Sequence, residues 1–568
     1  PMPTDFEIAS QFPRRPMTEI GAKLGLAESD LIPYGRDVAK VDLAVLERPR
    51  ARPAPPRLVL VSAITPTPAG EGKTTMSISL ADGLRRRGKR ALAALRQPSL
   101  GPTLGSKGGG AGGGRARLEP FERINLGLTG DINAVTAAHN LLASLIDNLL
   151  HFGAAKSPPG APVLDPRRVD LPRVIDLDDR TLRQVVVGLG GALNGLPRET
   201  RFDITAASEV MAILCLARDY ADLKARLGRI LVGTAVDDTP VNAAAIGAVG
   251  GMAVVLREAM LPNLLQTHEG TPALVHGGPF GNIAHGCSSV VATRFALRAA
   301  DIVVTEAGFG FDLGAEKFLD IKCRAAGIWP DALLLVATAK ALKFHGGVDK
   351  AKVAEPNLAA LRLGAENLRR HLETARAFGL SACVAINVFP GDAPDELAEI
   401  ERIAAEEGCP AARVTAYGDG AEGALALADL MIARLGEDRG PEARAPRYLY
   451  ELTDPLRVKI EKVARTVYGA TGVEFAAAAE RDLKRAEAVG LGQAPVCIAK
   501  THLSLSADPT AGGRPKPHVL PVRAVRLSAG AGFVVPLCGE IMTMPGLGSR
   551  PAVLGMDLGD DGQITGLK

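Results

Sequence analysis

Residues 57–75 read RLVLVSAITPTPAGEGKTT, an apolar run of strand length that leads into a glycine-rich turn and then into a helix. The run from Leu58 to Ile64 carries no charge, which is typical of a strand buried on both faces of a parallel sheet. Backbone N–H groups around Gly70 and Gly72 can surround phosphate oxygens at the helix start, where unpaired donors and the helix dipole favour anions. The stretch therefore predicts a phosphate-binding loop.

The two residues that follow the last glycine of this loop carry its chemistry. Lys73 is expected to neutralise the β- and γ-phosphates of a nucleotide, and the Thr74 hydroxyl is expected to hold Mg²⁺. Thr67 stands where the general pattern has its first glycine, but the order of strand, glycines, lysine, hydroxyl and helix is kept. The predicted nucleotide-binding residues are Thr67, Pro68, Ala69, Gly70, Glu71, Gly72, Lys73, Thr74 and Thr75.

The composition is that of a globular protein with a large core. Of the 568 residues, 47% are hydrophobic and 23% are charged, and the formal net charge of +3 is too small to indicate a nucleic-acid partner. The seven cysteines have no C-x-x-C spacing, which indicates reduced thiols rather than a zinc site or a disulfide framework. The sequence contains neither an apolar stretch of membrane-spanning length nor a signal-peptide core, so we expect a cytoplasmic protein without a membrane partner.

Repeated units of strand, turn and helix predict an α/β fold, a P-loop NTPase-like doubly wound parallel sheet with two smaller α/β domains. We expect a nucleotide-binding domain over residues 1–355, with a helical preface and linker at 1–56, a middle domain over 356–450 and a C-terminal domain over 451–568. In such sheets, ligands gather at the carboxyl ends of the strands, and the glycine-rich turns of this chain fall there.

Further polar and glycine-rich segments follow the predicted strands. The glycines of residues 108–114, which Lys107 precedes, predict a backbone that approaches a ligand closely rather than a flexible linker. Three acidic residues after one strand either serve a metal and orient the loop or act as charges at a helix start: Glu306, Asp312 and Glu316. Three histidines lie beside glycine in loops, so a position in the core is not expected for them: His276, His285 and His345.

With these motifs in place, the chain resembles formate–tetrahydrofolate ligase over nearly its whole length. The stretches that carry the resemblance include TPAGEGKTT, PSLGP, FDITAASEVMAILCLA, HGGPFGNIAHG, VTEAGFGFDLGAEKFLDIKCR, CIAKTHLSLSADP and SAGAGFVVPLCGEIMTMPGL. The resemblance implies ATP-dependent ligation of formate to tetrahydrofolate, which gives 10-formyltetrahydrofolate, ADP and phosphate through formyl phosphate. It also implies small-molecule substrates only, MgATP, tetrahydrofolate as co-substrate, a monovalent cation such as K⁺ or NH₄⁺, and a homotetramer.

The resemblance also assigns roles to single residues. Arg96 matches the arginine that the family places against formyl phosphate, and with Lys73 it forms the expected catalytic pair. Phe389 and Tyr417, in the middle domain, match the aromatic pair that sandwiches the pterin ring. The expected substrate-binding residues are Arg96, Gln97, Ser99, Gly127, Asp131, Phe389 and Tyr417.

The chain departs from the family pattern at the acyl end of the site. Gln97 replaces a glutamate, Gly127 and Asn133 replace histidines, and Gly281 replaces the usual alanine. N10 of the folate must lose a proton during attack, and none of the first three residues accepts one at neutral pH, which leaves His139 as a candidate acceptor.

Two alternatives to the family activity therefore stay open. One is a divergent paralogue that uses ATP and a folate with a different one-carbon donor or acceptor. The other is a nucleotide-binding regulator without ligase turnover.

Overall fold

The computed structural model describes most of the chain: residues 13–50, 54–68, 70–105, 110–153, 160, 162–437, 440 and 444–567. Ala69 of the predicted phosphate loop, Lys107 and the first two glycines of 108–114 lie outside the described residues, as do positions 1–12 of the predicted preface.

In chain order the strands are β1 (Leu31–Pro33), β2 (Ala39–Val41), β3 (Arg57–Ala63), β4 (Ala91–Leu95), β5 (Gly112–Gly113), β6 (Ala116–Glu119), β7 (Leu164–Val169), β8 (Arg173–Ile175), β9 (Val185–Val187), β10 (Arg198–Thr200), β11 (Phe202–Ile204), β12 (Leu231–Ala235), β13 (Pro240–Asn242), β14 (Asn263–Thr267), β15 (Pro272–Val275), β16 (Ile302–Glu306), β17 (Ala332–Ala337), β18 (Ala382–Asn387), β19 (Ala411–Val414), β20 (Gly472–Phe475), β21 (Val519–Val522), β22 (Ala524–Ser528), β23 (Phe533–Leu537), β24 (Asp557–Leu558) and β25 (Ile564–Thr565). The α-helices are α1 (Met17–Ala22), α2 (Lys73–Arg86), α3 (Leu100–Leu104), α4 (Phe121–Asn125), α5 (Asp131–Phe152), α6 (Glu209–Leu216), α7 (Tyr220–Arg229), α8 (Val249–Val255), α9 (Val290–Ala299), α10 (Arg324–Ala326), α11 (Ala339–His345), α12 (Leu358–Ala377), α13 (Pro394–Glu406), α14 (Ala416–Asp419), α15 (Leu425–Gly436), α16 (Leu456–Val463) and α17 (Ala477–Ala488). Two π-helical turns, Phe311–Ala315 and Phe318–Cys323, follow β16.

One large sheet organises the described residues and confirms the expected α/β class. Its strand order is β1-β2-β14-β15-β4-β16-β3-β17-β18-β19, with β6 paired to β14 and β5 to β6. All neighbours from β15 through β19 along this order are parallel. The β1, β2, β6 and β14 strands pair antiparallel, so the sheet is mixed rather than wholly parallel. The turn of residues 268–271 between β14 and β15 is too short for the crossover that parallel strands need.

The central parallel strands are buried along nearly their whole length. Every residue of β4, β16, β17 and β18 is buried, and in β3 only Arg57 at its start is partly exposed. Side chains therefore pack on both faces of the sheet, where helices cover them, as the uncharged sequence of β3 predicts.

The middle segment, residues 356–450, continues the large sheet. Its strands β18 and β19 pair parallel with β17 and with each other. Helix α12 packs beside them through a buried stripe that includes Leu361, Leu368 and Leu372. The middle segment and the segment before it therefore share one sheet.

The C-terminal segment adds helices α16 and α17 and three small sheets, β20–β21, β22–β23 and β24–β25. Its contact with the rest of the protein includes Lys500, whose backbone exchanges two hydrogen bonds of 3.1 and 2.9 Å with the Asn282 side chain. The Lys500 ammonium lies 2.7 Å from Asp312 Oδ2, and both side chains are fully buried. A buried ion pair thus joins the C-terminal segment to the π-helical turns after β16.

The end of α2, the cysteines and the helix lengths are further features of the described residues. Arg86 and Arg87 lie at and just after the end of α2 and bind Glu269 and Asp429. All seven cysteines are buried free thiols. Among the helices that the structure describes, none combines the length and the apolar character needed to cross a membrane.

A buried ion pair between α11 and α13 gives a stability prediction. Lys343 Nζ lies 2.8 Å from Glu396 Oε2, and each side chain is 1% exposed. The Glu396→Gln change leaves the ammonium buried without its carboxylate, and we expect the free energy of unfolding to fall by about 3 kcal/mol or more. The shift of the urea midpoint, followed by circular dichroism, measures this loss.

The matched control is Glu401→Gln on the same helix. Glu401 pairs with Arg413 at 2.8 Å, but the two side chains are 39% and 41% exposed. Exposed pairs contribute about 1 kcal/mol or less. Equal shifts for the two variants would contradict the prediction.

Candidate active site

The predicted site residues lie along one edge of the large sheet because parallel strands all end there. Lys73 and Thr74 follow β3, Arg96 follows β4, Glu306 ends β16, Phe389 follows β18 and Tyr417 follows β19. Strands β4, β16 and β3 are direct neighbours, and so are β18 and β19. The polar residues therefore gather at one part of the edge and the two aromatic residues at another.

The loop between β3 and α2 has the backbone shape of an anion cradle. Gly70 and Gly72 adopt left-handed φ angles of 75° and 78°, and Gly72 caps the helix N-terminus. The Glu71 carboxylate accepts a 2.7 Å hydrogen bond from the Thr67 backbone N–H, which closes the loop on itself. Asn387 Nδ2 donates to the Glu71 carbonyl at 3.1 Å, so the end of β18 supports the loop from outside.

Lys73, Thr74 and Glu306 form the polar base of this cradle. The Thr74 hydroxyl donates to Glu306 Oε2 at 3.0 Å. Burial lowers the pKa of the Lys73 ammonium, the nearby charge of Arg96 lowers it further, and Glu71 and Glu306 partly offset both effects. Burial also raises the pKa of the Glu71 carboxyl. An anion bound between Lys73 and Arg96 would favour the charged form of the lysine.

Arg96 is held by backbone rather than by a carboxylate. Its Nη1 donates to the Pro279 carbonyl at 3.3 Å, and its buried Nε has no hydrogen-bond partner among the described residues. Gly308 packs against the guanidinium, since a Cβ there would lie 3.0 Å from Nη1 and 3.1 Å from Nη2. A guanidinium with donors left over can bind the oxygens of a carboxylate or a phosphate.

Gln97 and Gly127 lie together, as the sequence predicts for the acyl end. Gln97 Nε2 donates to the Gly127 carbonyl at 3.3 Å, and the buried Gln97 Oε1 has no partner among the described residues. Gly127 has a φ of 111°, and a Cβ built there meets nothing within 4 Å. A side chain at this position would have room but would strain the backbone. Asn133 lies on the exposed side of the first turn of α5.

Ser99 and Asp131 are fixed within the protein. The Ser99 hydroxyl donates to Asp176 Oδ1 in a short hydrogen bond, and the Leu100 N–H donates to Asp176 Oδ2 at 2.9 Å. The Asp131 carboxylate accepts from Lys40 Nζ and from Asn263 Nδ2, both at 2.7 Å. These contacts hold the segments that follow β4 and precede α5.

Phe389 and Tyr417 follow neighbouring strands whose register pairs Asn387 with Val414. Phe389 is partly exposed and carries the Lys340 ammonium 4.4 Å from its ring centroid. Tyr417 is 50% exposed. Two partly exposed rings at adjacent strand ends form a surface on which a planar ligand can stack.

The described part of the glycine run lies against Tyr417. A Cβ on Gly114 would lie 2.0 Å from the Tyr417 carbonyl oxygen, and the Arg115 N–H donates to that oxygen at 2.9 Å. A Cβ on Gly110 would lie 3.0 Å from Pro98 Cβ. These glycines thus approach other protein atoms closely, and their approach to a ligand stays a prediction.

Two expectations about histidines are wrong. His276, His285 and His345 are all buried. His276 lies against Ser289 and the Ala259 carbonyl, and His345, the last residue of α11, lies against the Thr65 carbonyl and accepts from the Gly513 N–H, so distant segments cover both rings. His139 does not serve the site: its Nε2 faces the Pro172 carbonyl at 2.9 Å in the core, and burial lowers its pKa to about 4.

The three acidic residues at and after the end of β16 have separate surroundings. Glu306 binds Thr74, and Asp312 binds Lys500. Glu316 is buried beside Asp320, and burial together with that second carboxyl raises its pKa. Within the described residues, no group of three or more histidine, cysteine or acidic side chains could hold a metal ion by itself.

Comparison with known proteins identifies the family of the chain. The family model described as formate–tetrahydrofolate ligase matches residues 3–568. The chain belongs to this family. It is 54% identical to the formate–tetrahydrofolate ligase of Myxococcus xanthus over 554 residues, 97% of this chain and 99% of the relative. The ligases of Paracoccus denitrificans and Symbiobacterium thermophilum are 53% and 52% identical to it, each with full coverage of both chains.

Sequence reasoning missed several residues at this edge of the formate–tetrahydrofolate ligase fold. Asn387 supports the phosphate loop, and Lys340 lies over Phe389. Phe309 has a left-handed φ of 56° and stacks on His502. The Gly-Phe-Gly sequence at 308–310 marks an irregular backbone, but no local pattern connects it with residue 502.

The phosphate loop gives a prediction for Gly72. A Cβ there would lie 2.6 Å from Asn387 Nδ2 on a backbone with φ of 78°. The Gly72→Ala change therefore displaces Asn387 and distorts the loop, and we expect MgATP to bind at least about tenfold more weakly. Isothermal titration calorimetry with MgATP measures the change.

The control is Gly88→Ala, just beyond the other end of α2. Gly88 has a φ of 73° but open space around its Cβ position. It shares the backbone strain of Gly72 without the contact to Asn387. Weaker MgATP binding in Gly88→Ala would contradict the assignment of the effect to the loop.

Proposed function

We propose that this chain ligates formate to tetrahydrofolate with ATP and forms 10-formyltetrahydrofolate, ADP and phosphate through formyl phosphate. Membership of the formate–tetrahydrofolate ligase family supports the overall reaction. The observation that carries the mechanism is the pair of cations, Lys73 and Arg96, at the ends of strands separated only by β16. Their charges act on each other across the space where a phosphoryl group would pass from ATP to formate.

Residues 67–75 are the nucleotide-binding loop of this proposal, which makes the fold P-loop NTPase-like. The backbone N–H groups near Gly70 and Gly72 bind the phosphates at the N-terminus of α2. Lys73 neutralises charge on the γ-phosphoryl group as the bond to ADP lengthens. The mutual repulsion of Lys73 and Arg96 is relieved when the anion binds.

Thr74 and Glu306 fit a magnesium ion that arrives with ATP. Their oxygens lie 3.0 Å apart beside the loop, and hydroxyl and carboxylate oxygens are the ligands that Mg²⁺ prefers. Magnesium in nucleotide enzymes needs only one or two protein ligands because phosphates and water supply the others. When bound, the ion supplies electrostatic stabilisation of the phosphates.

Arg96 binds formate and then formyl phosphate in this proposal. A formate oxygen attacks the γ-phosphorus, a new O–P bond forms, and ADP leaves with the electron pair of the broken bond. The guanidinium fork fits the oxygens of the carboxylate and of the acyl phosphate. Gln97, Gly127, Ser99 and Asp131 shape the wall around this end through the contacts described above.

Phe389 and Tyr417 bind the pterin ring of tetrahydrofolate between them. Stacking on two aromatic faces suits a flat, polar ring system and leaves N10 free to attack the formyl carbon. Lys340, which lies over Phe389, adds a cation beside this surface.

We also propose the division into domains 1–355, 356–450 and 451–568, with the first two joined by the shared sheet. Activation by K⁺ or NH₄⁺ and a homotetramer complete the proposal, and both rest on the family resemblance. Initial rates with and without K⁺, and light scattering after size exclusion, test these two statements.

The comparisons do not favour a paralogue with another substrate or a regulator without turnover, since the chain matches formate–tetrahydrofolate ligases along their full length.

One assay separates the three possibilities. Purified protein is incubated with MgATP, tetrahydrofolate and K⁺, and ADP and 10-formyltetrahydrofolate are measured with formate, with acetate and with no acid. Product that requires formate supports the ligase. ADP release or a folate product without formate would support the paralogue, and MgATP binding with no turnover would support the regulator.

The first variant of this assay is Lys73→Ala. Because the lysine offsets charge that develops on the transferring phosphoryl group, we expect ADP formation to fall about 10³-fold or more. Lys89→Ala, on the exposed turn after α2, is the control and should keep the full rate. Substantial turnover in Lys73→Ala would exclude the proposed role.

A second prediction concerns Tyr417 on the proposed pterin-binding surface, which Phe389 and Tyr417 form. Tyr417→Ala removes one stacking face, and the loss of about 1–3 kcal/mol raises the KM for tetrahydrofolate about 5- to 150-fold. The KM values for ATP and formate should stay within about twofold. Tyr417→Phe keeps the ring and is the matched control. A parallel rise in all three KM values would contradict a specific role in folate binding.

A further inference from the structure

A turn of the C-terminal segment reaches the acyl end of the site with a histidine. His502 is half-buried, and its ring stacks on Phe309 with centroids 4.7 Å apart and an angle of 26° between the planes. Gly308, the residue before Phe309, packs directly on the Arg96 guanidinium. The imidazole therefore stacks on the residue next to Gly308, and Gly308 contacts Arg96, which binds formyl phosphate in the proposed function.

The turn that carries His502 is fixed by a buried cation. Lys500 Nζ donates to the Thr501 carbonyl at 3.1 Å and, in a short hydrogen bond, to the Ser504 carbonyl, so one ammonium holds both ends of the turn. The same ammonium pairs with Asp312 at 2.7 Å. Asn282 fixes the Lys500 backbone through two further hydrogen bonds. This arrangement leaves the position of residue 502 little freedom.

The surface under the imidazole is equally constrained. Phe309 adopts a left-handed φ of 56°, a conformation that a bulky residue rarely takes and that is often found at functional sites. A Cβ on Gly281 would lie 3.0 Å from Phe309 Cδ2. The glycine that replaces the family alanine at 281 thus gives the Phe309 ring room to lie flat between residue 281 and His502.

The elements that carry this stack, and those next to it, also carry charged side chains. Lys500 lies on the turn itself, Asp312 and Lys317 lie on the segment after β16, and Arg96 lies at the end of β4. Lys317 Nζ donates to the Gly281 carbonyl at 3.2 Å. These charged groups contact residues that neighbour Phe309 and His502, and the Lys500 ammonium is paired with Asp312 at 2.7 Å.

We propose that His502 accepts the proton that N10 of tetrahydrofolate loses during formyl transfer. In this step, N10 forms a bond to the formyl carbon, the bond between that carbon and the phosphate oxygen breaks, and phosphate leaves with the electron pair. The proton passes from N10 to a ring nitrogen of His502. This inference rests on the proposed function and supplies the base that Gln97, Gly127 and Asn133 cannot provide.

The test compares His502→Gln with His151→Gln, a change at an exposed histidine near the end of α5. Loss of a general base lowers kcat for 10-formyltetrahydrofolate by about 10²-fold or more in His502→Gln. The KM values for ATP and tetrahydrofolate stay within about twofold. Formation of ADP from MgATP and formate in a single turnover without folate keeps its rate, because that step needs no base. His151→Gln behaves as the unchanged protein does.

The pH profile separates proton transfer from mere support of the fold. Between about pH 5.5 and 9, kcat of the unchanged protein falls on the acidic side because a protonated imidazole accepts no proton. His502→Gln loses this acidic limb. In His502→Gly, which leaves space for a free base, added imidazole restores part of the rate. His502→Asn serves as a second variant if glutamine disturbs the turn.

The outcomes also separate this inference from the proposed function. If the unchanged protein makes no formate-dependent product, the proposed function fails and the inference fails with it. If the unchanged protein makes the product and every His502 variant stays within about threefold of it at all pH values, the inference alone is overturned. If the His502 variants lose single-turnover ADP formation without folate to the same degree as formyl transfer, His502 positions the site, and its role as a base is overturned.

Discussion

The parallel register of the central strands is the constraint on which the site depends. Glu306 at the end of β16 is paired with Val61 of β3, and the preceding Thr305 is paired with Ala94 of β4. The residues that follow these strands must therefore meet at one edge. A shift of any strand by one residue would turn its buried side chains to the opposite face. Because both faces are covered by helices, the buried core fixes the register and, with it, the spacing of the polar groups.

Electrostatics at this edge favour an anion. Lys73 is buried near Arg96, and both burial and that second cation act against its charge. Glu71 and Glu306 offset this effect only in part, while the Arg96 Nε keeps a hydrogen-bond donor that no described residue satisfies. Such locally unfavourable arrangements are common at functional sites, where the ligand supplies the missing partner. The same cation whose charge burial disfavours is one that would stabilise a phosphoryl group in transfer.

The departures from the family pattern are linked by contacts in the fold. Gln97 donates to the Gly127 carbonyl, so the two altered positions touch, and the φ of 111° at Gly127 suits glycine far better than the family histidine. At Gly281, the missing methyl group makes room for the ring of Phe309. The predicted acyl end thus has fewer titratable side chains than the family pattern, while the C-terminal segment places His502 on Phe309, beside the glycine that packs on Arg96.

The sequence by itself determined the α/β class and the parallel core and predicted a phosphate loop, because these depend on local order: an uncharged strand, glycines at fixed places and a lysine before a helix. The roles of Arg96, Phe389 and Tyr417 could be assigned only through resemblance to a family, since nothing near them in the chain has a distinctive pattern. The tertiary structure decided what depends on segments far apart in the chain. It buried the three loop histidines, joined β18 and β19 to the large sheet, and brought residue 502 next to residue 309. Periodicity and motifs describe neighbours along the chain, whereas these contacts join segments that lie far apart in the sequence.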